Sequence, residues 1–292
     1  MNAGERHLVV GVDGSEASLR AVDWAADEAH LRGVQLRLVH ACPSERHEDA
    51  TLAQDTGRAG PSAPQDVVGA ATRRAHARQP GLEVASTVAF EAPGRALTEA
   101  GRGAAAVVVG TRGRGGVAEL LLGSVSLTVA AHAECPVVVL RGSHDNQVTP
   151  PVHGKVVVGL GDGAEHPGTL RFACAEARRR GVPLEVVRAW RRPARERGDL
   201  PGSVEATARA HEERAERALD EALREIPPDV KLIRRTVEGT ALRALVDASH
   251  WADLLVVGAR RPAGRAGLPP GRVAHTVLHH SACPVVVVPQ RT

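Results

Sequence analysis

Four short motifs recur in this chain at one constant spacing. Leu8-Val9-Val10-Gly11 returns as Val156-Val157-Val158-Gly159, and Leu31-Arg32-Gly33-Val34 as Arg179-Arg180-Gly181-Val182. Val107-Val108-Val109-Gly110 returns as Leu255-Val256-Val257-Gly258, and Cys135-Pro136-Val137-Val138-Val139 as Cys283-Pro284-Val285-Val286-Val287. Each pair is offset by 148 residues, as from Leu8 to Val156. One offset across four separate motifs means duplication with the element lengths retained. The 292 residues then divide into two domains, 1–142 and 153–292, each long enough for its own hydrophobic core. The joint falls near Arg141 to Gly154, where Gly, Ser, Asp, Asn and two prolines replace the apolar run.

Each half alternates apolar strands with helical patterns. In the first half a strand is predicted over Leu8 to Val12, then a helix over Ser18 to Leu31 with Leu19, Val22, Ala26 and Ala29 on one face. Gly33 stops that helix. Further strands are predicted over Gln35 to Ala41, Leu82 to Val88, Ala104 to Val109 and Val137 to Leu140. Helices are predicted ending near Arg78, over Arg95 to Arg102, and over Ser124 to His132. Alternating strands and helices imply an α/β fold with parallel pairing and right-handed crossovers. Valine runs without polar alternation suit a sheet covered on both faces. The expected fold is two tandem open five-stranded parallel sheets, Rossmann-like in winding. Such a sheet binds ligands at the carboxyl ends of its strands. Asp13, His40-Ala41 and the segment after Val109 converge there.

Composition narrows the function classes. The net charge is only +3, nearly all the cations are Arg, and Arg is interspersed with Asp and Glu. With no Tyr and two Phe there are few platforms for base stacking, so nucleic acid is not an expected partner. The apolar runs fall far below the roughly 18 residues a membrane span needs. Met1 to His7 is short and polar, unlike an export signal. None of Cys42, Cys135, Cys174 and Cys283 forms a CxxC pair, which reads as reduced thiols. The expected compartment is the cytoplasm. His275 and His279 stand four apart on a predicted helix, but no third ligand joins them at a useful interval, so no metal is expected. The Arg/Glu-rich stretch from Val204 to Glu225 reads as a solvated helix face.

The chemistry concentrates after the fourth strand. Gly110-Thr111-Arg112-Gly113-Arg114-Gly115-Gly116 leads to Gly123-Ser124 at a predicted helix start. Glycines let backbone approach a ligand, and free amides at a helix N-terminus favour phosphate. Ser124 can cap the helix. Arg112 and Arg114 add fork-shaped donors. Neither a Walker loop nor the dinucleotide fingerprint is present, and a flexible surface loop has the same composition.

Gly110-x2-Gly113-x9-Gly123-Ser124 resembles the G-2x-G-9x-G-[ST] loop of ATP-binding universal stress proteins at every defined position. Val9-Val10-Gly11-Val12-Asp13-Gly14-Ser15 is similar to that family's first strand and acidic turn, and Cys135-Pro136-Val137-Val138-Val139 to its final strand. The resemblance implies the adenine nucleotide alpha hydrolase-like form of the fold and ATP as ligand, alone or with Mg2+. It implies that Asp13, flanked by Val12 and Gly14, meets the adenosine moiety, and that the backbone at Ala41 meets adenine. Gly110, Arg112, Gly113, Arg114, Gly123, Ser124, Val125 and Ser126 would then surround the phosphates. Family members pair through the last strand, which implies a pseudo-dimer of the two halves within one chain, with a homodimer of whole chains as a further candidate. The expected role is a nucleotide-responsive stress or signalling module. A slow ATPase or autophosphorylating enzyme, and a ligand-free scaffold, are the alternatives; no paired carboxylates or Ser/His/Asp set marks a catalytic centre.

The second half departs from this pattern. At the same offset Asp13 becomes Gly161, with Asp162 beside it, Gly113 becomes Arg261 and Ser124 becomes Arg272, while Gly258 and Gly271 keep the glycines. Pro262, Pro269 and Pro270 enter the loop, and each lacks an amide donor. The expectation is a copy that kept the fold and lost ATP. Arg260, Arg261, Arg265 and Arg272 could instead form a different anion site, or lie as ordinary solvated charge.

Overall fold

β-Branched residues dominate the central strands, where they pack well on a pleated surface. The computed structural model describes residues 7–43, 63–111, 122–140, 154–161, 167–191, 201–224, 226–261 and 271–291. The chain divides into two compact units, the first built on residues up to Thr149, the second on Pro150–Arg260 and Gly271–Gln290. In the first unit the elements are β1 (His7–Gly11), α1 (Glu16–Arg32), β2 (Gln35–Ala41), α2 (Pro64–Arg78), β3 (Val84–Ala89), α3 (Pro93–Ala100), β4 (Ala106–Gly110), α4 (Ser124–His132) and β5 (Val137–Leu140). The strand order is β3-β2-β1-β4-β5, and every neighbouring pair is parallel. Leu8, Val9 and Val10 of β1, and Val107 and Val108 of β4, are completely buried. Each such side chain contributes about 1.5–3 kcal/mol relative to exposure.

The second unit repeats this plan with β6 (Val156–Leu160), α5 (Pro167–Arg180), β7 (Leu184–Trp190), α6 (Pro201–Leu223), β8 (Leu232–Glu238), α7 (Ala241–Ser249), β9 (Leu254–Arg261), α8 (Arg272–His280) and β10 (Val285–Arg291). Its strand order is β8-β7-β6-β9-β10. The duplication holds to the residue in the strand register. Leu8 pairs with Leu36 and Ala106, and Val156 pairs with Leu184 and Leu254, all at the same offset. Leu36↔Val84 likewise becomes Leu184↔Leu232.

Apart from end shifts of up to two residues at β1, α3 and β4, two sequence expectations change. The predicted strand from Leu82 begins only at Val84, and it is not a doubly covered apolar run, since Ser86 and Thr87 are exposed. β3 and its counterpart β8 are the outermost strands of their units, and Ile233, Arg234 and Arg235 of β8 are exposed too. The second shift is at α1, which starts at Glu16 because Ser15 caps it, its hydroxyl oxygen accepting from the Ser18 amide. α1 ends as expected at Gly33, in the left-handed region at φ 65°, where an L side chain costs about 1–2 kcal/mol.

The helices carry buried charge in matched places. Glu28 and Arg32 pair at 2.5 Å, with side chains 3% and 4% exposed. Their counterparts Glu176 and Arg180 also pair, and Glu176, fully buried, takes Arg179 as well. Asp23, buried on α1, is held by the Arg74 guanidinium of α2 through two bonds of 2.8 and 2.6 Å. That pairing pushes Arg74 above its ordinary value, first through the hydrogen bond to Asp23. α6 presents a solvated face, as its pattern implies, with Ala208, Ala215, Leu219 and Leu223 turned inward. No described helix is long and apolar enough to cross a membrane.

Candidate functional site

At the carboxyl edge of the first unit's sheet, Asp13 follows β1 after Val12. Its Oδ1 accepts from the Ser15 amide at 3.0 Å and the Ser15 hydroxyl at 2.6 Å. The Asp13 amide donates to Ser18 Oγ at 3.3 Å, and the Ser18 hydroxyl donates to the Ser15 carbonyl at 2.9 Å. Asp13 therefore closes its own turn, as Asp does before a helix. Gly14 takes φ 77°, which explains why glycine follows Asp13. Val12 is buried and follows the strand, its amide donating to the Val39 carbonyl at 2.9 Å. Ala41 ends β2, half-buried, beside Ala89 of β3.

The two stems of the glycine loop are tied together. The Gly123 amide donates to the Thr111 carbonyl at 2.7 Å. Ser126, 3% exposed, donates from Oγ to the Gly110 carbonyl at 2.7 Å. The loop's exit is thereby fixed at the mouth of β4. Arg112, Gly113 and Arg114 lie outside the described residues.

Gly110 has a structural reason of its own. A Cβ there would stand 2.7 Å from the Ala17 carbonyl oxygen, so the close approach of α1 to β4 already demands glycine. Its identity alone is no sign of a ligand. Ser124 is corrected: it does not cap α4 but is its first residue, and the cap is Gly123, whose φ of −65° any residue could adopt. Gly123 has no side chain to satisfy the first amides, and α4 has no acidic residue in its first turn. α1, by contrast, carries the Ser15 cap and Glu16. The start of α4, with exposed Ser124 and half-buried Val125, is the one of these two termini whose field and amides are left for an anion.

The second unit builds the same edge differently. β4 leaves the sheet at Gly110, but β9 continues through Ala259 and Arg260 to Arg261, the positions matching Thr111, Arg112 and Gly113. A Cβ on Gly258 would meet Gln290 Nε2 at 2.4 Å and Thr169 Oγ1 at 2.9 Å. Those two side chains hydrogen-bond each other at 3.0 Å and fill the space beside the retained glycine. Ser126 becomes Ala274, so the hydroxyl tie to the strand end is gone. Arg272, exposed, begins α8, its charge opposing the helix dipole. Asp162, Pro262, Arg265, Pro269 and Pro270 lie outside the described residues.

Other candidates carry little chemistry. The rings of His275 and His279 are 4.7 Å apart, and among the described residues no group of three or more potential metal ligands occurs. Burial pushes the Cys283 thiol up to about 12 and the Cys174 thiol upward as well, opposite to the shift a reactive cysteine needs. The sequence reading missed the Ser15–Ser18 cap, although Ser15 three residues before Ser18 is a capping spacing. It also missed the Thr169–Gln290 pair, which no local pattern signals.

Comparison with known proteins agrees with the repeat. The profile of the universal stress protein family matches residues 5–141 and again 153–289. The chain is 35% identical to universal stress protein Rv2005c of Mycobacterium tuberculosis over 97% of both chains. It is 32% identical to a universal stress protein of Mycolicibacterium smegmatis over 99% of both. Among solved structures, a universal stress protein of Archaeoglobus fulgidus superposes with a TM-score of 0.67, at 17% identity, over the whole of both chains.

Proposed function

The chain belongs to the universal stress protein family, and on that premise we propose that its first unit binds ATP while its second unit has lost the nucleotide. The observation that carries this reading is the tied mouth of β4. The Ser126–Gly110 and Gly123–Thr111 bonds set the uncapped start of α4 at the end of β4, the strand next to β1, which leads to the Asp13 turn. Amides at that start, with the loop glycines, suit phosphates. Asp13 suits a ribose hydroxyl, since a carboxylate accepts from it. The Ala41 backbone suits the base edge. Gly110, Arg112, Gly113, Arg114, Gly123, Ser124, Val125 and Ser126 form the phosphate side, with Val12, Asp13, Gly14 and Ala41 on the adenosine side.

In the second unit β9 runs on through Arg261, the position matching Gly113, and the Thr169–Gln290 pair fills the space beside Gly258. The protein acts in this reading as a nucleotide-responsive stress or signalling module. With it goes the expected pairing of the halves through Val137–Leu140 and Val285–Val288. Hydrogen exchange as slow there as in β1 and β6 supports the pairing, and the fast exchange of an open strand edge contradicts it.

Calorimetric titration with ATP tests the site. Binding in the parent protein, at least about tenfold weaker in Asp13→Ala, supports the reading; no binding at millimolar ATP removes it. A melting temperature that rises with ATP is the companion result, because a ligand of the native state stabilises it by mass action.

A further inference from the structure

The end of β2 sets one side chain against the site that neither the loop nor the helix start explains. His40 is 9% exposed, and its Nδ1 lies 2.8 Å from the Val12 carbonyl oxygen. A carbonyl only accepts, so Nδ1 carries the proton and donates. Val12 is the last residue before Asp13. The paired register of β1 and β2 ends at Gly11↔Val39, with the Val12 amide on the Val39 carbonyl. On β2 the amides of Leu36 and Cys42 face β3, bonding Glu83 and Ala89. By alternation the Ala41 amide faces β1 and the Val12 carbonyl. The imidazole therefore bonds the first strand where the ladder runs out, between the Asp13 turn and the Ala41 edge.

The repeat supplies an independent observation. At the same offset His40 becomes Arg188, and Arg188 Nη1 donates to the Gly161 carbonyl at 2.8 Å. Gly161 matches Asp13. Two unlike side chains at one repeat position thus hold the backbone that leaves the first strand of their unit. Holding that exit is what the position does in both units.

We propose that His40 is a positioning residue of the first unit's nucleotide site. Its Nδ1–H fixes the Val12 carbonyl, and through it the turn that presents Asp13 and the edge that presents Ala41. The proposal rests on the nucleotide reading above. His40 acts through Val12 and not on the ligand, which makes Asn and Gln diagnostic. The Asn amide nitrogen sits one bond beyond Cγ, as imidazole Nδ1 does. The Gln amide reaches one bond further, toward the place of Nε2.

The test uses the full chain, with ATP titrated calorimetrically and amide hydrogen exchange read over residues 13–18 without nucleotide. His40→Ala is expected to weaken ATP binding about tenfold, the net worth of an ordinary hydrogen bond, and to speed exchange in that turn. His40→Asn should stay within about threefold of the parent on both readouts, and His40→Gln should behave like His40→Ala. Arg188→Ala should leave ATP affinity unchanged. Parent-like behaviour of His40→Ala overturns the proposal, as does retention of binding by Gln with loss by Asn, which would put Nε2 on the ligand. If His40→Ala does not fold, the Asn and Gln pair still decides. If the parent binds no ATP, the nucleotide reading has failed and exchange alone decides: faster in Ala and parent-like in Asn upholds the clasp, while no change in Ala removes it.

Discussion

The two units share a framework to the residue and differ where the sheet ends. Strand registers, the Gly33 and Gly181 stops at φ 65°, and the Glu28–Arg32 and Glu176–Arg180 pairs all repeat at one offset. At the carboxyl edge the correspondence stops. The first unit turns out of β4 at Gly110 and ties the exit with Ser126; the second stays in strand to Arg261 and fills the neighbouring space with Gln290 and Thr169. The apolar character of the core strands is kept in both copies, as in Leu8 and Val156 or Val107 and Leu255, while residues at the edge differ. A fold needs its core and its caps, but it does not need its ligand site. Gly110 and Gly258 make the point: the first faces the Ala17 backbone, while the second faces the Gln290 and Thr169 side chains.

The largest test copies the second unit into the first. Gly113→Arg places the counterpart of Arg261 in the loop and is expected to abolish ATP binding, a loss beyond about a thousandfold, with melting unchanged. Sterics should outweigh the added charge, because one misplaced cation cannot replace several converging amides. ATP bound as tightly as by the parent would break the comparison at its main joint. The next test asks whether the framework is as symmetric as it looks. Glu28→Ala and Glu176→Ala each remove a buried carboxylate from an arginine pair and should each cost about 3 kcal/mol in denaturant unfolding. A large cost in one unit and none in the other would show that the shared pairs are not equivalent.

These two tests also mark what could be read in advance. The repeat and the alternation of parallel strands with helices were legible because they rest on local runs such as Val107 to Gly110 and on one offset. Ser126 was legible only through the family resemblance; its bond to Gly110 crosses 16 residues. The Thr169–Gln290 pair, 121 residues apart, and the His40 bond to Val12, 28 apart, were out of reach, because no periodicity encodes a contact between one strand's end and another element. The early start of α1 was missed for a smaller reason. A cap is a side-chain hydrogen bond, here the Ser18 amide donating to Ser15 Oγ, which the apolar period does not encode.

A milder exchange between the units sharpens the site. Ser126→Ala, which copies Ala274, should weaken ATP binding about tenfold and cost about 1 kcal/mol of stability, since the Gly110 carbonyl loses its buried donor. Equal affinity in the variant would mean that the tie matters only to the fold. The smallest effect isolates the second unit. Burial holds the Cys283 thiol at about 12, against an ordinary 9.0. Between those values the unfolded chain sheds a proton that the folded one keeps, so stability falls as pH rises above 9. By about pH 9.5 the loss should approach 1 kcal/mol, and Cys283→Ala should flatten that slope.

Native mass spectrometry of the full chain at saturating ATP reads the central claim directly. One nucleotide per chain, lost in Gly113→Arg, is the result expected of one working site and one closed copy. Two nucleotides per chain, or one that survives Gly113→Arg, would contradict it.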